Sequence, residues 1–361
     1  MIRTESPLAS NYLAIDLGGS KLLSAVVTVR NVDSFPRAVL SGISKRPLHK
    51  DSGRNGVWSA ILSAVDETFR NSGFKWKDIT AIGATIPGVA DPQRGLWVYA
   101  PYSGIRDFPI AEELATKYGK PVFADNDVNA CAWGEKIFGV CQNVDNFLWI
   151  TISNGIGGGL VLDGRVYPGK FSGAAEIGHF NVVEDGALCG CGRHGCLEAT
   201  ASGQGVARAY REHVLNVARG EGTFTPSLID GWKNFILQKH QTLDETKAVR
   251  LELESIPSVD AALIADEARK GNPLALFTYR EMGGYVGRAA SWAANLINPE
   301  KIVIGGGVAG AFDLFYPALQ EKFQKYVFRQ ANQSLTIEKT GLGYEAGLLG
   351  AVSLAYDNPY L

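Results

Sequence analysis

The chain has 361 residues, of which 46% are apolar and 42 are glycine, and its formal net charge at pH 7 is −2. That length exceeds what a single hydrophobic core organises, so two lobes are expected. The near-neutral charge excludes a general attraction to nucleic acid or to an anionic membrane. No apolar run approaches the roughly 20 residues of a membrane span, and the first residues lack a secretory signal pattern. Five cysteines, clustered mainly in one place, do not form a secreted disulfide framework, and a cytoplasmic protein is predicted.

The first half of the sequence alternates strand and helix patterns. Residues 12–29 predict a strand, a glycine turn and a second strand, and residues 51–73 predict a helix. Residues 78–91 predict a strand and a Gly/Pro turn, and residues 109–139 predict a helix, a short strand, a polar turn and a helix. This alternation indicates an α/β layer architecture.

The second half opens by repeating the design of the first. Residues 146–167 again predict an apolar strand, a glycine-rich turn and an apolar strand, which indicates two related lobes facing one another. After Ala199 the chain is predicted to turn helical, with a charged helical excursion at 214–257 that carries no chemical motif. Two helices, a strand and a glycine turn follow in 257–310, and an apolar helix lies in 344–357.

Three cysteines and a histidine predict a metal site. Cys189, Cys191 and Cys196 stand within eight residues, and His179 precedes them by ten. Three thiolates and an imidazole form the usual tetrahedral ligand set of a structural Zn²⁺, which leaves no open position for water. The alternatives are buried free thiols beside a core histidine, or a redox pair, whose C-x-x-C spacing is absent. His194 is a competing ligand, ranked below His179.

Three glycine turns predict contacts to phosphate groups. Residues 16–20 read DLGGS between two strands, residues 153–159 read SNGIGGG, and residues 305–307 read GGG between a strand and a helix. Backbone N–H groups of glycine can approach phosphate oxygens closely. Lys21 can add a donor, and Asp16 can hold Mg²⁺ directly or through water. Each turn alone is better explained as an ordinary connection, but the three together predict a nucleotide in a cleft, without a P-loop or dinucleotide fingerprint.

Acidic residues predict a catalytic base and groups that bind a polyol. The stretch ADNDVNA places Asn126 and Asp127 between a strand and a helix. One interpretation is that Asp125 or Asp127 is an ordinary helix N-cap. The other is that Asp127 is the general base that takes a proton from a hydroxyl during phosphoryl transfer. Glu176 and Glu198 can accept hydrogen bonds from further hydroxyl groups, as a polyol substrate requires.

Together these motifs resemble the ROK family of bacterial sugar kinases, in the actin/hexokinase/Hsp70-like ATPase superfamily. The matching stretches, in chain order, are DLGGSK, IPGVADP, DNDVNA, ISNGIGGGLVLDGRVYPGKFSGAAEIGH, CGCGRHGCLE and INPEKIVIGGGV. The resemblance implies two actin-like (ribonuclease H-like) α/β lobes around a central cleft. It implies a smaller lobe of residues 1–128 with the C-terminal helix at about 343–361, and a larger lobe of residues 129–342 that carries the zinc loop.

The resemblance also implies a reaction and its residues. The reaction is ATP-dependent phosphorylation of a hexose at its 6-hydroxyl, with Mg²⁺ accompanying ATP. Glucose is the first choice of hexose, and mannose, fructose, allose or an N-acetyl amino sugar are alternatives. Asp127 is similar to the family's base, and a homodimer or homotetramer is implied. The implied sugar ligands are Gly88, Asn126, Asp127, Glu176, His179 and Glu198. The implied nucleotide contacts are Asp16, Gly18, Gly19, Ser20, Lys21, Asn154, Gly155, Gly306 and Gly307. The implied ligands of a structural Zn²⁺, which braces the sugar site, are His179, Cys189, Cys191 and Cys196.

The sequence departs from the family pattern at three places. Many ROK glucokinases read A-P-N-L, G-T-G and Gly where this chain has Ala100-Pro101-Tyr102-Ser103, Ser153-Asn154-Gly155 and Ala175. The change at Tyr102 lies on the sugar side, so it leaves the hexose open. The other two changes are expected to tune nucleotide contact and loop shape.

Two other functions compete with a kinase. ROK transcriptional regulators share the fold and the zinc motif but carry a winged-helix domain before the first glycine turn. Since 15 residues precede Asp16, the kinase is favoured over the regulator. The other competing function is that of a non-catalytic sugar sensor, and the presence of both Asp16 and Asp127 argues against it.

Overall fold

The computed structural model describes residues 9–48, 53–100 and 103–360, which fold into two five-stranded sheets, a small three-stranded sheet and the helices packed on them. The strands are β1 (Ser10–Leu17), β2 (Lys21–Val32), β3 (Phe35–Pro47), β4 (Ile79–Ile86), β5 (Val89–Asp91), β6 (Leu96–Tyr99), β7 (Arg106–Phe108), β8 (Val122–Asn126), β9 (Phe147–Ile152), β10 (Ile156–Leu162), β11 (Arg165–Val166), β12 (Lys301–Gly305) and β13 (Thr336–Lys339). The α-helices are α1 (Gly53–Ser72), α2 (Ile110–Tyr118), α3 (Asp127–Phe138), α4 (Leu197–Ala201), α5 (Gly203–Arg219), α6 (Pro226–Lys239), α7 (Glu245–Ser255), α8 (Ala261–Arg269), α9 (Pro273–Ile297), α10 (Phe312–Tyr326) and α11 (Ala346–Tyr356).

The two five-stranded sheets have the same topology. The strand order is β3-β2-β1-β4-β8 in the first and β11-β10-β9-β12-β13 in the second. In each sheet the first three strands of the chain are antiparallel neighbours, and the last two run parallel to the first. The repeated strand, glycine turn and strand therefore mark a repeated fold. The predicted two-lobed α/β architecture is confirmed.

The first sheet is covered by helices from distant parts of the chain. Helix α1 packs against β2 and β3, whereas α11 packs against β1, β2, β4 and β8. Gly83 of β4 makes the second contact close, because a Cβ there would overlap the backbone carbonyl of Ala351 in α11. The helix predicted at about 343–361 thus lies on the first sheet. The exact lobe boundaries stay a prediction.

Helix α3 packs on the second sheet at β10, a strand that contains three consecutive glycines. We expected residues 153–159 to form one glycine turn, which is wrong in part because Gly157 and Gly159 lie inside β10. A Cβ on Gly159 would lie 2.8 Å from the carbonyl oxygen of Val128, and one on Gly157 would lie 3.0 Å from the Val128 side chain. The glycines therefore let α3 pack directly on the second sheet, while its other contacts include α11.

The predicted helical excursion at 214–257 is confirmed as the end of α5 together with α6 and α7. Trp232 and Ile236 of α6 are buried in the core of the second half, and α6 packs on α9. Strand β3 was not predicted, since it is a sheet edge whose side chains, apart from buried Ser44, are exposed or half-buried and lack a clear apolar pattern. In the described part of the chain, no helix combines the length and the apolar character needed to cross a membrane.

Candidate active site

Polar side chains line the carboxyl edge of the first sheet. Asp16, Thr85 and Asp125 occupy matching positions on β1, β4 and β8, so they lie on the same face of the sheet. The Thr85 hydroxyl donates to Asp16 Oδ1 over 2.7 Å. Burial raises the pKa of Asp16, although the Thr85 hydroxyl and the Lys21 charge act in the opposite direction. Two carboxyl groups thus stand at the edge where ligands bind in open α/β sheets.

Asn126 caps the helix that begins at Asp127. Its Oδ1 accepts a hydrogen bond from the Val128 N–H over 2.9 Å, and its Nδ2 donates to the Gly88 carbonyl over 2.6 Å. The interpretation that Asp125 or Asp127 is the N-cap is therefore wrong. The amide of Asn126 fits this place because it can accept from the helix and donate to Gly88, which a carboxylate cannot do. The structure thus brings two of the predicted sugar ligands, Gly88 and Asn126, into contact.

The electrostatic surroundings of Asp127 suit a general base. Burial raises the pKa of its carboxyl to about 7. The negative charges of Asp16 and Asp125 add to the rise, while the Val128 N–H opposes it. A base works best when its pKa lies near the pH of the reaction. Asp127 can therefore be ionised at neutral pH and still take up a proton readily.

The four predicted metal ligands meet at one point. The ligand atoms of His179, Cys189, Cys191 and Cys196 all lie within 4.8 Å of one another. Cys191 Sγ is 3.6 Å from Cys196 Sγ, and Cys189 Sγ is 3.8 Å from His179 Nδ1. Tetrahedral Zn²⁺ with Zn–S bonds of about 2.3 Å needs sulfur atoms about 3.8 Å apart, so this donor set fits the ion. His194 lies outside the group, because its Nδ1 bonds a backbone carbonyl over 2.8 Å.

The cysteine cluster contacts the predicted sugar ligands directly. His179 turns Nδ1 to Cys189 and places Nε2 3.8 Å from Glu176 Oε2. Glu198 has Oε1 3.6 Å from Cys189 Sγ, and its Oε2 accepts from the Ile156 N–H over 3.1 Å. The cluster thus lies between two carboxylates and can fix both of them.

The start of β10 brings the base and these acids into one region. Ile156, which holds Glu198, is followed by Gly157, and Gly157 packs on Val128 beside Asp127. The two halves of the predicted sugar site therefore meet where α3 crosses the second sheet.

The predicted nucleotide turns of the second sheet adjoin one another. The Gly307 N–H donates to Ser153 Oγ over 3.1 Å, which ties the turn after β12 to the turn after β9. Gly306 has φ 85°, a left-handed conformation that favours glycine. Asn154 is exposed at the tip of its turn, and Gly155 packs on the Glu198 carboxylate so closely that a Cβ would overlap it.

Lys21, beside the first glycine turn, contacts Tyr344, a residue that we did not predict in the site. The Gly18 N–H donates to the Lys21 carbonyl over 2.8 Å, while Gly19 and Ser20 are exposed. Lys21 Nζ donates to the Tyr344 hydroxyl over 2.5 Å and lies 4.1 Å from the centre of its ring. Only the folded chain brings these positions together, because 323 residues separate them.

Comparison with known proteins agrees with this geometry. The sequence pattern of the ROK family matches residues 12–358. The chain belongs to the ROK family. It is 30% identical to a glucokinase of Halalkalibacterium halodurans, over 94% of this chain and 93% of that protein. Its fold is similar to that of a ROK family glucokinase from Streptomyces griseus solved with glucose and AMPPNP, with TM-score 0.73, 29% identity, and coverage of 96% and 99%. It is also 27% identical to the DNA-binding transcriptional repressor Mlc of Escherichia coli, over 82% of this chain and 66% of the repressor.

The structure accounts for one departure from the ROK pattern and leaves another open. Ala175 has φ 61°, in the left-handed region where glycine is favoured over alanine. The chain therefore places an alanine before Glu176 at a backbone position that favours glycine, the residue expected there from the family pattern. Tyr102, the departure on the sugar side, lies outside the described residues.

Gly347 is a site residue that no motif indicated. It lies in the first turn of α11, where a Cβ would overlap the Asp16 carboxylate. We expect Gly347→Ala to displace Asp16 and to lower kcat by about 100-fold, the effect of a misplacement of about 1 Å. Overpacking should also lower the free energy of unfolding by about 1–3 kcal/mol. Steady-state kinetics and urea unfolding measure both effects.

Gly284→Ala is the matched control for Gly347→Ala. Gly284 is also helical, but a Cβ there would lie 3.4 Å from the Lys322 side chain, an ordinary contact. This variant should keep the wild-type kcat. If Gly347→Ala also keeps it, the close approach of α11 to Asp16 is not needed for function.

Proposed function

We propose that this ROK protein is an ATP-dependent hexose kinase that phosphorylates the 6-hydroxyl of glucose. The observation that carries the proposal is the carboxyl of Asp127, whose pKa is raised to about 7 by burial at the sheet edge beside Asp16. Two further observations support it: relatives that match nearly the whole chain are glucokinases, and the related Streptomyces griseus structure holds glucose with AMPPNP.

The chemistry follows from the placement of these groups. Asp127 accepts the proton of the 6-hydroxyl as the oxygen attacks the terminal phosphorus of ATP, and the bond from that phosphorus to the ADP oxygen breaks. Bound Mg²⁺ would neutralise charge on the phosphates, and Asp16 is the carboxylate placed to hold it. A cation there would also offset the burial that raises the pKa of Asp16.

The nucleotide and the sugar would bind to different parts of the site. We assign the glycine turns to the nucleotide, since Gly19, Ser20 and Asn154 present exposed groups. We assign Asn126, Glu176 and Glu198, with Gly88 and His179, to the sugar hydroxyls. The cysteine cluster, as a zinc site, would then hold His179 and Glu198 in place without joining the reaction.

The test is a coupled assay of ADP release across glucose, mannose, fructose, allose and N-acetylated amino sugars. We expect the highest kcat/KM with glucose. A higher kcat/KM with another hexose would support the kinase assignment but would replace glucose as the proposed substrate. Hexose binding by calorimetry without ADP release from any sugar would contradict the kinase and favour a sugar-responsive regulator, as the match to Mlc allows.

A further inference from the structure

A tyrosine beyond the last helix reaches the row of carboxyl groups. Asp125 is 0% exposed, and its two oxygens are held separately. Its Oδ1 accepts from the Asn126 N–H over 2.6 Å, and its Oδ2 accepts from the Tyr360 hydroxyl. A buried carboxylate depends on such donors, because each one lost leaves an uncompensated charge or lone pair.

The segment that carries Tyr360 is itself fixed to the protein. The indole N–H of Trp133 on α3 donates to the Asp357 carbonyl over 2.5 Å. The Asn358 side chain accepts from the Tyr360 N–H over 3.0 Å, which closes a local turn. The Tyr360 ring packs on the apolar core that α3 shares with α11. The hydroxyl is therefore delivered to Asp125 by an ordered structure.

A series of hydrogen bonds runs from this hydroxyl to the candidate base. Tyr360 holds Asp125, Asp125 holds the backbone of Asn126, and Asn126 caps α3 and bonds to Gly88. Asp127 is the first residue of that helix. We propose that Tyr360 is a positioning residue, which holds Asp125 and thereby orients Asn126 and Asp127. This proposal rests on the proposed kinase function only for its kinetic test.

The same contact has an electrostatic consequence. Burial raises the pKa of Asp125 to about 6, and the Tyr360 hydroxyl, the Asn126 N–H and the Asn129 side chain act against that rise. Removing the Tyr360 hydroxyl should therefore raise the pKa of Asp125 further, so that a larger fraction of this carboxyl is neutral at pH 7.

The neighbouring base then responds to the lost charge. The charged groups acting on Asp127 are Asp16 from β1 and Asp125 from β8, and both raise its pKa. Cys131 on the same helix stays neutral, because burial raises the pKa of its thiol. Neutral Asp125 repels Asp127 less, so the pKa of Asp127 falls and the acidic limb of kcat/KM moves to lower pH.

The experiment compares Tyr360→Phe with Tyr356→Phe. Tyr356 lies at the end of α11 and bonds Asn31 over 3.2 Å, so its variant loses a hydroxyl from the same region without touching a carboxylate. We expect Tyr360→Phe to lower kcat about tenfold through misplacement of the base. We expect its acidic limb to move to lower pH, while Tyr356→Phe keeps both wild-type values. A purely structural role would not move the limb.

A second measurement separates this proposal from the proposed function. Carboxyl carbon NMR follows the titration of Asp125 in both proteins without turnover, and we expect its pKa to be higher in Tyr360→Phe. An active wild-type enzyme with an unchanged kcat and acidic limb in Tyr360→Phe would overturn the positioning role alone. An inactive wild-type protein would overturn the kinase assignment. In that case an unchanged pKa of Asp125 in Tyr360→Phe would still refute the proposed role of Tyr360 in holding this carboxyl.

Discussion

Asp127→Asn is expected to lower kcat by about 10²- to 10⁴-fold, the usual contribution of a general base, while the hexose still binds. The amide keeps the size of the carboxyl group but cannot accept the proton of the sugar hydroxyl. Coupled ADP-release kinetics give kcat, and isothermal titration with the hexose gives binding. A kcat within a few-fold of wild type would contradict the assignment of Asp127 as the base.

The pH profile gives this prediction a second part. Asp127 must be ionised to act, so kcat/KM of the wild-type enzyme should fall as the pH drops through about 7, the pKa of this carboxyl. Asp127→Asn should lose that limb from its residual activity. Asp244→Asn is the control, because Asp244 caps α7 in the helical excursion and asparagine caps equally well.

Asp127→Asn should be more stable than the wild-type protein although it is less active. The folded protein binds the Asp127 proton more tightly than the unfolded chain does, because the pKa rises from 3.8 to about 7 on folding. The contribution of this group is therefore fully present below 3.8 and is lost as the pH rises through about 7. Asp127→Asn removes the buried charge, so its Tm should exceed that of wild type more at pH 8 than at pH 6.

Removal of the metal from the cysteine cluster is expected to weaken both hexose binding and folding. The cluster lies between Glu176 and Glu198, and in the proposed zinc site the ordering of these carboxylates would depend on four ligands being drawn to one ion. We expect hexose affinity to fall by on the order of 10- to 100-fold, as for other misplaced binding groups. Tm should also fall, because metal binding to a folded site stabilises it. Calorimetry and thermal unfolding of dialysed and zinc-restored protein measure both.

Substitution separates the role of the cluster from that of cysteine in general. Cys189→Ala removes a cluster thiol, whereas Cys141→Ala removes a buried thiol outside it. Elemental analysis should find zinc in wild type and in Cys141→Ala but less in Cys189→Ala. Full hexose affinity in metal-free protein would show that the carboxylates keep their positions without the ion.

Sequence reasoning worked where chemistry or periodicity is local. The cysteine spacing identified the cluster, and the structure brings His179 rather than His194 to it, because both predictions depended on residue types close together in the chain. The repeated strand, glycine turn and strand likewise indicated two similar lobes. These patterns carry their information within short windows.

Sequence reasoning failed where a contact joins distant parts of the chain. Gly347 against Asp16 and Tyr360 against Asp125 depend on how α11 crosses the first sheet, which no local pattern encodes. One interpretation gave the cap of α3 to an aspartate, because aspartate and asparagine are almost equally good caps. The choice between them is made by Gly88, 38 positions away from Asn126.

The position of α11 also constrains how the protein is made. This helix fills an apolar face of the first sheet, with Leu348, Ala351 and Val352 buried there, yet it follows the entire second sheet in the chain. Domains generally begin to fold during synthesis, which adds about 5–20 residues per second to the chain. The first sheet therefore stays partly uncovered while the second half of the chain is synthesised, and its apolar face is closed only after α11 has left the ribosome.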